Sequence, residues 1–372
     1  MGEVIRVLHI LQRMEAGGTQ ALLMNIYRNI DRNKLQFDFL VEYPEKQFYD
    51  DEICSLGGEI YYTSVREDFN IIKFQNQLTN ILLENKNYKI VHMHTYSIGY
   101  FCLRIAEKCG VPVRIAHSHS NSMTQDYKKY IKYILQRLYT IHATDLFACS
   151  QDAGRYLFKH KKFHVLTNAI DSSKFVANTL MRETIRKELN ISNKFVIGHV
   201  GRFQPEKNHD FLLEIFMEIR RKRNDAVLLL VGSGNLKSQI ITKVNLMSLT
   251  NNVLFLDNRR DMNRIYQAMD VFLFPSLYEG LGIVAVEAQA SGIPVVGSER
   301  IPKEVEISPL YKHLSLDNSA EMWASESIEF AHNVYSHSNM QRYIINAGFD
   351  INTVVSEIEN YYIESAEIAK MK

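Results

Sequence analysis

Short apolar runs alternate with amphipathic stretches along this chain, and the alternation comes in two series. In the first, VIRVLHI, FDFLV, EIYY, IVHMH, VRIAH, LFACS and FHVLT read as strands. Helical periodicity fills the gaps, most clearly over residues 20–29, 70–86 and 126–142. In the second, the strands are FVIGHV, AVLLLVG, NVLFL, VFLFPS and IPVVG, with helical patterns starting near His209, Leu236, Met262 and Ile283. Two further helical patterns occupy residues 319–335 and 350–365. Strand and helix in strict alternation, with strands apolar throughout, specify a parallel sheet covered by helices on both faces. Between the series, residues 170–193 hold no strongly apolar run and read as a linker with a short helix. A chain of 372 residues is long for one core and comfortable for two.

The expected class is therefore α/β, with two Rossmann-like parallel-sheet domains facing across a crevice. The boundaries read as 1–168 for the first domain, 169–193 for the linker, 194–349 for the second domain and 350–372 for a terminal helix. In such folds ligands bind outside the carboxyl ends of the strands.

Composition narrows the function classes. Cys54, Cys102, Cys109 and Cys149 form no Cys-x-x-Cys pair, so neither a zinc knuckle nor a disulfide framework is indicated. That suits a reducing, cytoplasmic compartment. The opening MGEVIRVLHIL is too short and too charged for an export signal, and no apolar run is long enough to span a bilayer. The net charge of +1 conceals an uneven distribution. Residues 104–165 carry eleven Lys/Arg against four Asp/Glu, an excess that favours an anionic partner such as lipid headgroups or a pyrophosphate-bearing acceptor. Because this basic stretch contains no recognisable reading module, nucleic acid is not the expected partner.

Three segments carry chemistry. Gly17 and Gly18 follow the first strand, where the backbone must turn and can approach a ligand as the next helix begins; a plain turn before a helix fits them too. In GHVGRFQPEKNHD, Gly201 closes a strand and a short loop presents Arg202 and Lys207 ahead of a helix. Two fixed cations near a helix amino terminus suit a pyrophosphate whose charge must be supported as it departs. Gly232 and Gly234 in LLLVGSGNL offer a second point of close approach. In VFLFPSLYEGLGIVAVEAQASG, Glu279 sits in a Gly-rich loop and Glu287 in the first turns of the following helix. Carboxylates accept paired sugar or ribose hydroxyls but repel a pyrophosphate. A ligand with both a polyol and an anionic part is implied. The amides of Gly280, Leu281 and Gly282 are positioned for its oxygens.

His117 and His119 close the VRIAH strand, and His92 and His94 repeat the spacing in IVHMH. Neither pair has a carboxylate at a usual ligand spacing, so no metal and no cofactor are expected. His117 is assigned a hydrogen bond to the reacting sugar; His92, His94 and His119 read as structural. The stretch DYKKYIKYILQRLYTIHA fits either an ordinary covering helix or an interfacial helix drawn to anionic lipid through Lys128, Lys129, Lys132 and Arg137.

Together these segments resemble the retaining glycosyltransferases with two Rossmann-like domains, the GT-B, family 4-like, group 1 enzymes. The variants are closest to those of capsular and exopolysaccharide biosynthesis. The resemblance rests on GRFQPEKN and on EGLGIVAVE, whose Glu279 and Glu287 match the family's E-x7-E pair. It implies that Arg202 and Lys207 hold the donor diphosphate, Glu287 the ribose, and that Glu279 lies near the anomeric centre. It also implies that Gly17 and Gly18 approach the donor phosphates, and that His117 contacts the donor hexose. The first domain would be the acceptor side, and the terminal helix over residues 350–372 would cross back to it. PEKNHD stands where many members have Lys-Gly, Leu281 where Phe is common, and SERIPKEVEI departs from the usual Gly-rich loop. These departures bear on which sugar is recognised.

The expected reaction is retaining, metal-independent transfer of a hexosyl or N-acetylhexosaminyl group from a nucleoside-diphosphate sugar, with UDP favoured. The acceptor would be a saccharide or lipid-linked saccharide, reached at the inner face of a membrane through the basic segment. A UDP-sugar epimerase of the same architecture and a non-catalytic nucleotide-sugar-binding protein are the rivals. A dinucleotide oxidoreductase fits poorly, since GHVGRFQPEKN lacks Gly-x-Gly-x-x-Gly.

Overall fold

The structure, a computed structural model, describes residues 4–84, 88–95, 98–119, 137–332 and 340–371. Most of the basic helical pattern at 126–142, including Lys128, Lys129 and Lys132, lies outside the described residues. The chain divides into two compact units, Met1–Ala169 with Ile351–Lys372, and Ile170–Asp350.

The first unit is built on β1 (Ile5–Leu11), β2 (Leu35–Val41), β3 (Ile60–Tyr62), β4 (Tyr88–Met93), β5 (Val113–Ser118), β6 (Asp145–Ala148) and β7 (His164–Val165). They pair in parallel in the order β3-β2-β1-β4-β5-β6-β7. Parallel neighbours need a crossover, and helices such as Gly18–Asn29, Ile71–Glu84 and Gly99–Lys108 supply it. Because side chains alternate along a strand, Val7 and Leu11 enter one core layer while Leu8 and Ile10 enter the other. The long helix Ile351–Lys370 packs on the first of these layers. Its Ile351, Val354, Val355, Ile358 and Tyr362 join Val7, Leu11, Phe37 and Phe39 there.

The second unit contains β8 (Phe195–Val200), β9 (Ala226–Val231), β10 (Val253–Leu256), β11 (Val271–Phe274), β12 (Val295–Ser298) and β13 (Tyr311–Leu314). Their parallel order is β10-β9-β8-β11-β12-β13. The segment read as a linker forms a 3₁₀ turn, Ser172–Phe175, and the helix Thr179–Glu188. Arg182 and Arg186 of that helix both bond the carboxylate of Asp270 just before β11. Strand β13 has no counterpart among the sequence expectations. It is a half-exposed edge with Lys312 and His313 at its centre, so its apolar signal is weak.

In both units the strand order reverses once, between β1 and β4 and between β8 and β11. At such a reversal the flanking loops diverge to opposite faces, opening a cleft at the carboxyl ends of the strands. Among the described residues, no helix is long and apolar enough to cross a membrane.

Candidate active site

At the reversal in the second unit, the loops after β8, β9 and β11 are fastened to one another. Phe203 N–H donates to Ser233 O (2.9 Å), and Leu236 N–H donates to Phe203 O (3.0 Å). From the other side, Leu277 N–H donates to Glu206 O (2.8 Å) and Asn208 Nδ2 donates to Pro275 O (3.1 Å). Two glycines make the first junction possible. Gly232 has φ +145°, and a Cβ there would lie 2.2 Å from Gly201 O; Gly234 has φ +152°, with a Cβ 2.6 Å from Phe203 N and O. Both positions are closed to any side chain on two counts, backbone angle and space.

The central feature of this edge is an ion pair. Lys207, in the 3₁₀ turn Pro205–Lys207, donates from Nζ to Glu279 Oε1 at 2.5 Å. Their side chains are only 14% and 11% exposed, so the pair is largely withdrawn from water. The Lys207 ammonium also lies 5.3 Å from the centre of the Phe274 ring. Its stem runs beside Gly201, where a Cβ would come within 3.2 Å of Lys207 Cδ and Cε. Arg202, by contrast, is exposed, and it has no ion pair among the described residues. The two cations of the loop are thus unlike: one fixed by a carboxylate, one facing solvent.

The partners of the two glutamates also differ. Glu287, in the helix Ile283–Ala290, accepts a hydrogen bond from Tyr266 Oη at 2.8 Å. Burial of its carboxylate pushes its pKa up to about 7, partly opposed by the Tyr266 bond. Gly282 (φ +90°) caps that helix, and the Leu281 side chain is buried in the core, which leaves its backbone as the group available to a ligand. The sequence reading missed Tyr266, and it missed two histidines behind Lys207. His199 donates from Nδ1 to Leu273 O (2.9 Å), and His209 stacks on Phe203 at 4.5 Å between centroids. Burial, then the Lys207 charge, lowers the His209 pKa to about 4. A histidine inside FVIGHV carries no local pattern, so only the fold could reveal its neighbours.

In the first unit, Gly17 caps the helix Gly18–Asn29 in an extended conformation. A Cβ at Gly18 would meet only Asn168 Nδ2, at 3.8 Å, so the fold itself does not demand glycine there. Near the reversal stands a cluster that the sequence reading did not assemble. His9, His92, His94, His117 and His119 share the odd–even phase that faces the layer holding Tyr362. Parallel register places His9 beside His92, with β5 next to β4. Ring nitrogens meet in pairs: His9 Nδ1 with His94 Nε2 (3.0 Å), His92 Nε2 with His117 Nδ1 (2.9 Å), and His94 Nδ1 with His119 Nε2 (2.8 Å). Tyr362 Oη lies 2.6 Å from His92 Nδ1. Desolvation drives the pKa values of all five histidines down, to about 3 for His9 and His119, so the rings are neutral.

This cluster corrects the expectation that no metal or cofactor is involved. One ligand atom each from His9, His92 and His94, and likewise from His94, His117 and His119, lies within 4.8 Å of the others. Three neutral imidazoles are a complete donor set for a transition metal, and no carboxylate is required. The expectation failed because it searched for ligands along each short segment. Here the register of three adjacent strands supplies them.

Comparison with known proteins bears on this arrangement. Residues 181–348 match the family described as glycosyl transferases group 1, and residues 16–174 match glycosyltransferase family 4. The chain is 37% identical over 330 residues to the putative glycosyltransferase EpsF of Bacillus subtilis, covering 86% of each. It belongs to the glycosyltransferases of this group. The chain is also 26% identical to the UDP-Gal:alpha-D-GlcNAc-diphosphoundecaprenol alpha-1,3-galactosyltransferase of Escherichia coli, over 92% of this chain and 95% of that one. The Staphylococcus aureus capsular polysaccharide biosynthesis glycosyltransferase CapH is 26% identical over 97% and 99%. Among solved structures, Anabaena HepE in complex with UDP and glucose superposes with a TM-score of 0.79 at 17% identity, covering 96% and 99%. The fold is therefore GT-B, with two Rossmann-like units, and the enzyme moves a sugar from a nucleoside-diphosphate sugar to an acceptor.

Proposed function

We propose that this glycosyltransferase carries a hexosyl or N-acetylhexosaminyl group from a UDP-sugar to a hydroxyl of a lipid-linked saccharide, with retention of configuration. The observation that carries the reading is the Lys207–Glu279 pair at the strand reversal, beside the exposed Arg202. In the proposed complex Arg202 and Lys207 face the diphosphate and offset the charge that grows on it as the glycosidic bond breaks. Glu279 holds the lysine in place and orients the sugar. The amides of Gly280, Leu281 and Gly282 donate to phosphate or sugar oxygens, and Glu287, set by Tyr266, accepts the ribose hydroxyls. Gly201 and Gly234 keep the loops open to the donor. From the first unit, Gly17 and Gly18 are assigned to the donor phosphates.

Same-face attack is the favoured route, because Glu279, the one candidate nucleophile, is already engaged by Lys207. UDP and a lipid-linked acceptor are drawn from the E. coli relative, whose name carries both. The exposed Arg104, Lys108, Arg155, Lys159, Lys161 and Lys162 support a reversible contact with the anionic inner face of a membrane. The reading is tested by offering UDP-, GDP- and ADP-sugars with and without a lipid-linked acceptor. Acceptor-dependent UDP release with an α-configured product from an α-linked donor is expected. Donor isomerisation without acceptor would instead show an epimerase, and donor binding with no release would show a binding protein.

A further inference from the structure

We propose that His94, His117 and His119, at the carboxyl ends of β4 and β5, form a binding site for one divalent transition-metal ion of the zinc, cobalt or nickel class. Two of the three rings, His94 and His117, are already oriented as ligands. His94 uses Nε2 on His9 Nδ1, which leaves Nδ1 for an ion. His117 uses Nδ1 on His92 Nε2, and its buried Nε2 has no protein partner. His92 in turn is fixed through Nδ1 by Tyr362 Oη. Metal-bound imidazoles show this same pattern, with the second nitrogen held by an outer partner that sets the tautomer.

His119 completes the set. Its Nε2 lies 2.8 Å from His94 Nδ1, and its Nδ1 is buried without a partner. Two ligand nitrogens of a tetrahedral zinc centre stand about 3.3 Å apart, as follows from Zn–N bonds of about 2.0–2.1 Å. The observed spacing is therefore a few tenths of an ångström from a coordination edge, and an ion would replace the proton now shared between the rings. Without one, the cluster leaves His9 Nε2, His117 Nε2 and His119 Nδ1 all unpaired in the interior. Such unpaired groups are costly, and an ion held by His117 Nε2 gives one of the three a partner. His9 and His92 act here as outer partners. The route in is through His119, which is partly exposed whereas the other four rings are buried. An all-imidazole set favours zinc, cobalt, nickel or copper over magnesium or calcium, which prefer oxygen.

The test uses the untagged full chain, metal-stripped, with no sugar nucleotide present, so that its failure is distinguishable from failure of the transfer reading. Co²⁺ is titrated and followed by its visible d–d absorption, and Zn²⁺ is then used to displace it. One equivalent per chain is expected. His119→Ala should weaken binding at least about tenfold, and Tyr362→Phe, which loosens an outer partner, about tenfold. His160→Ala, a surface histidine outside the cluster, should bind as the parent does. His94→Ala should abolish binding, and if it does not fold, His119→Ala and Tyr362→Phe decide. The proposal is overturned if the parent shows no saturable site, or if the folded His119→Ala protein binds Co²⁺ with parental affinity and spectrum.

Discussion

Replacing Lys207 by Met removes the ammonium of the Lys207–Glu279 pair while keeping an unbranched stem beside Gly201 and Phe274. At 2.5 Å and an effective dielectric of about 20, the pair attracts by roughly 6–7 kcal/mol. Most of that is offset by the cost of withdrawing both groups from water. Removing one partner of a buried pair costs about 3–5 kcal/mol, because the other charge is stranded. With 14% and 11% of the two side chains still exposed, the lower figure applies, about 3 kcal/mol. Glu279→Gln should cost about 2 kcal/mol, and the double variant little more than Lys207→Met alone, giving a coupling of about 2 kcal/mol. The fold provides its own probe. Trp323 is the chain's single tryptophan, fully buried in the second unit with Nε1 bonded to Ser315 O. Its fluorescence in urea therefore reports the unit that holds the pair, and 3 kcal/mol corresponds to a midpoint shift of about 1–1.5 M. Strictly additive single variants, with coupling under about 0.5 kcal/mol, would refute the claim that the pair is a buried, mutually dependent unit.

Other expectations can be checked with the same protein. Arg202→Ala should lower kcat about 10²-fold with the unfolding midpoint unchanged, since the side chain is exposed; near-full turnover would remove it from the leaving-group role. Gly234→Ala should weaken UDP binding and destabilise the second unit by 2 kcal/mol or so, because a Cβ collides with Phe203 backbone at a φ of +152°. Crystallographic loops unchanged in that variant would contradict the steric argument. Glu287 binds protons more tightly folded than unfolded, its pKa rising from 4.5 to about 7. Its contribution to stability is thus complete below about pH 4.5, falls as pH rises towards 7, and is flat above, by at most about 3 kcal/mol. Glu287→Gln should erase that slope relative to the parent, and Tyr266→Phe, which removes a bond favouring the carboxylate, should extend it to higher pH.

The sequence by itself determined the architecture, because periodicity is a local property. Runs such as AVLLLVG and FDFLV declare strands covered on both faces, and their recurrence with helices permits little but parallel sheets. It also brought out Arg202, Lys207, Glu279 and Glu287, since loops at strand ends announce themselves through glycine and charge. Helices Asp50–Ser55 and Met340–Asn346 were not legible, being too short for a 3.6-residue pattern to develop. What only the tertiary structure decided was partnership. Nothing in the spacing says that Lys207 is bound to Glu279, 72 residues away, or that Glu287 leans on Tyr266. The histidines show this most plainly. Two His-x-His pairs and the isolated His9 carry no joint signal along the chain, yet pairing of β1, β4 and β5 puts all five rings on one face. Register between strands is fixed by packing across the whole sheet, so contacts that depend on it cannot be read from any one segment.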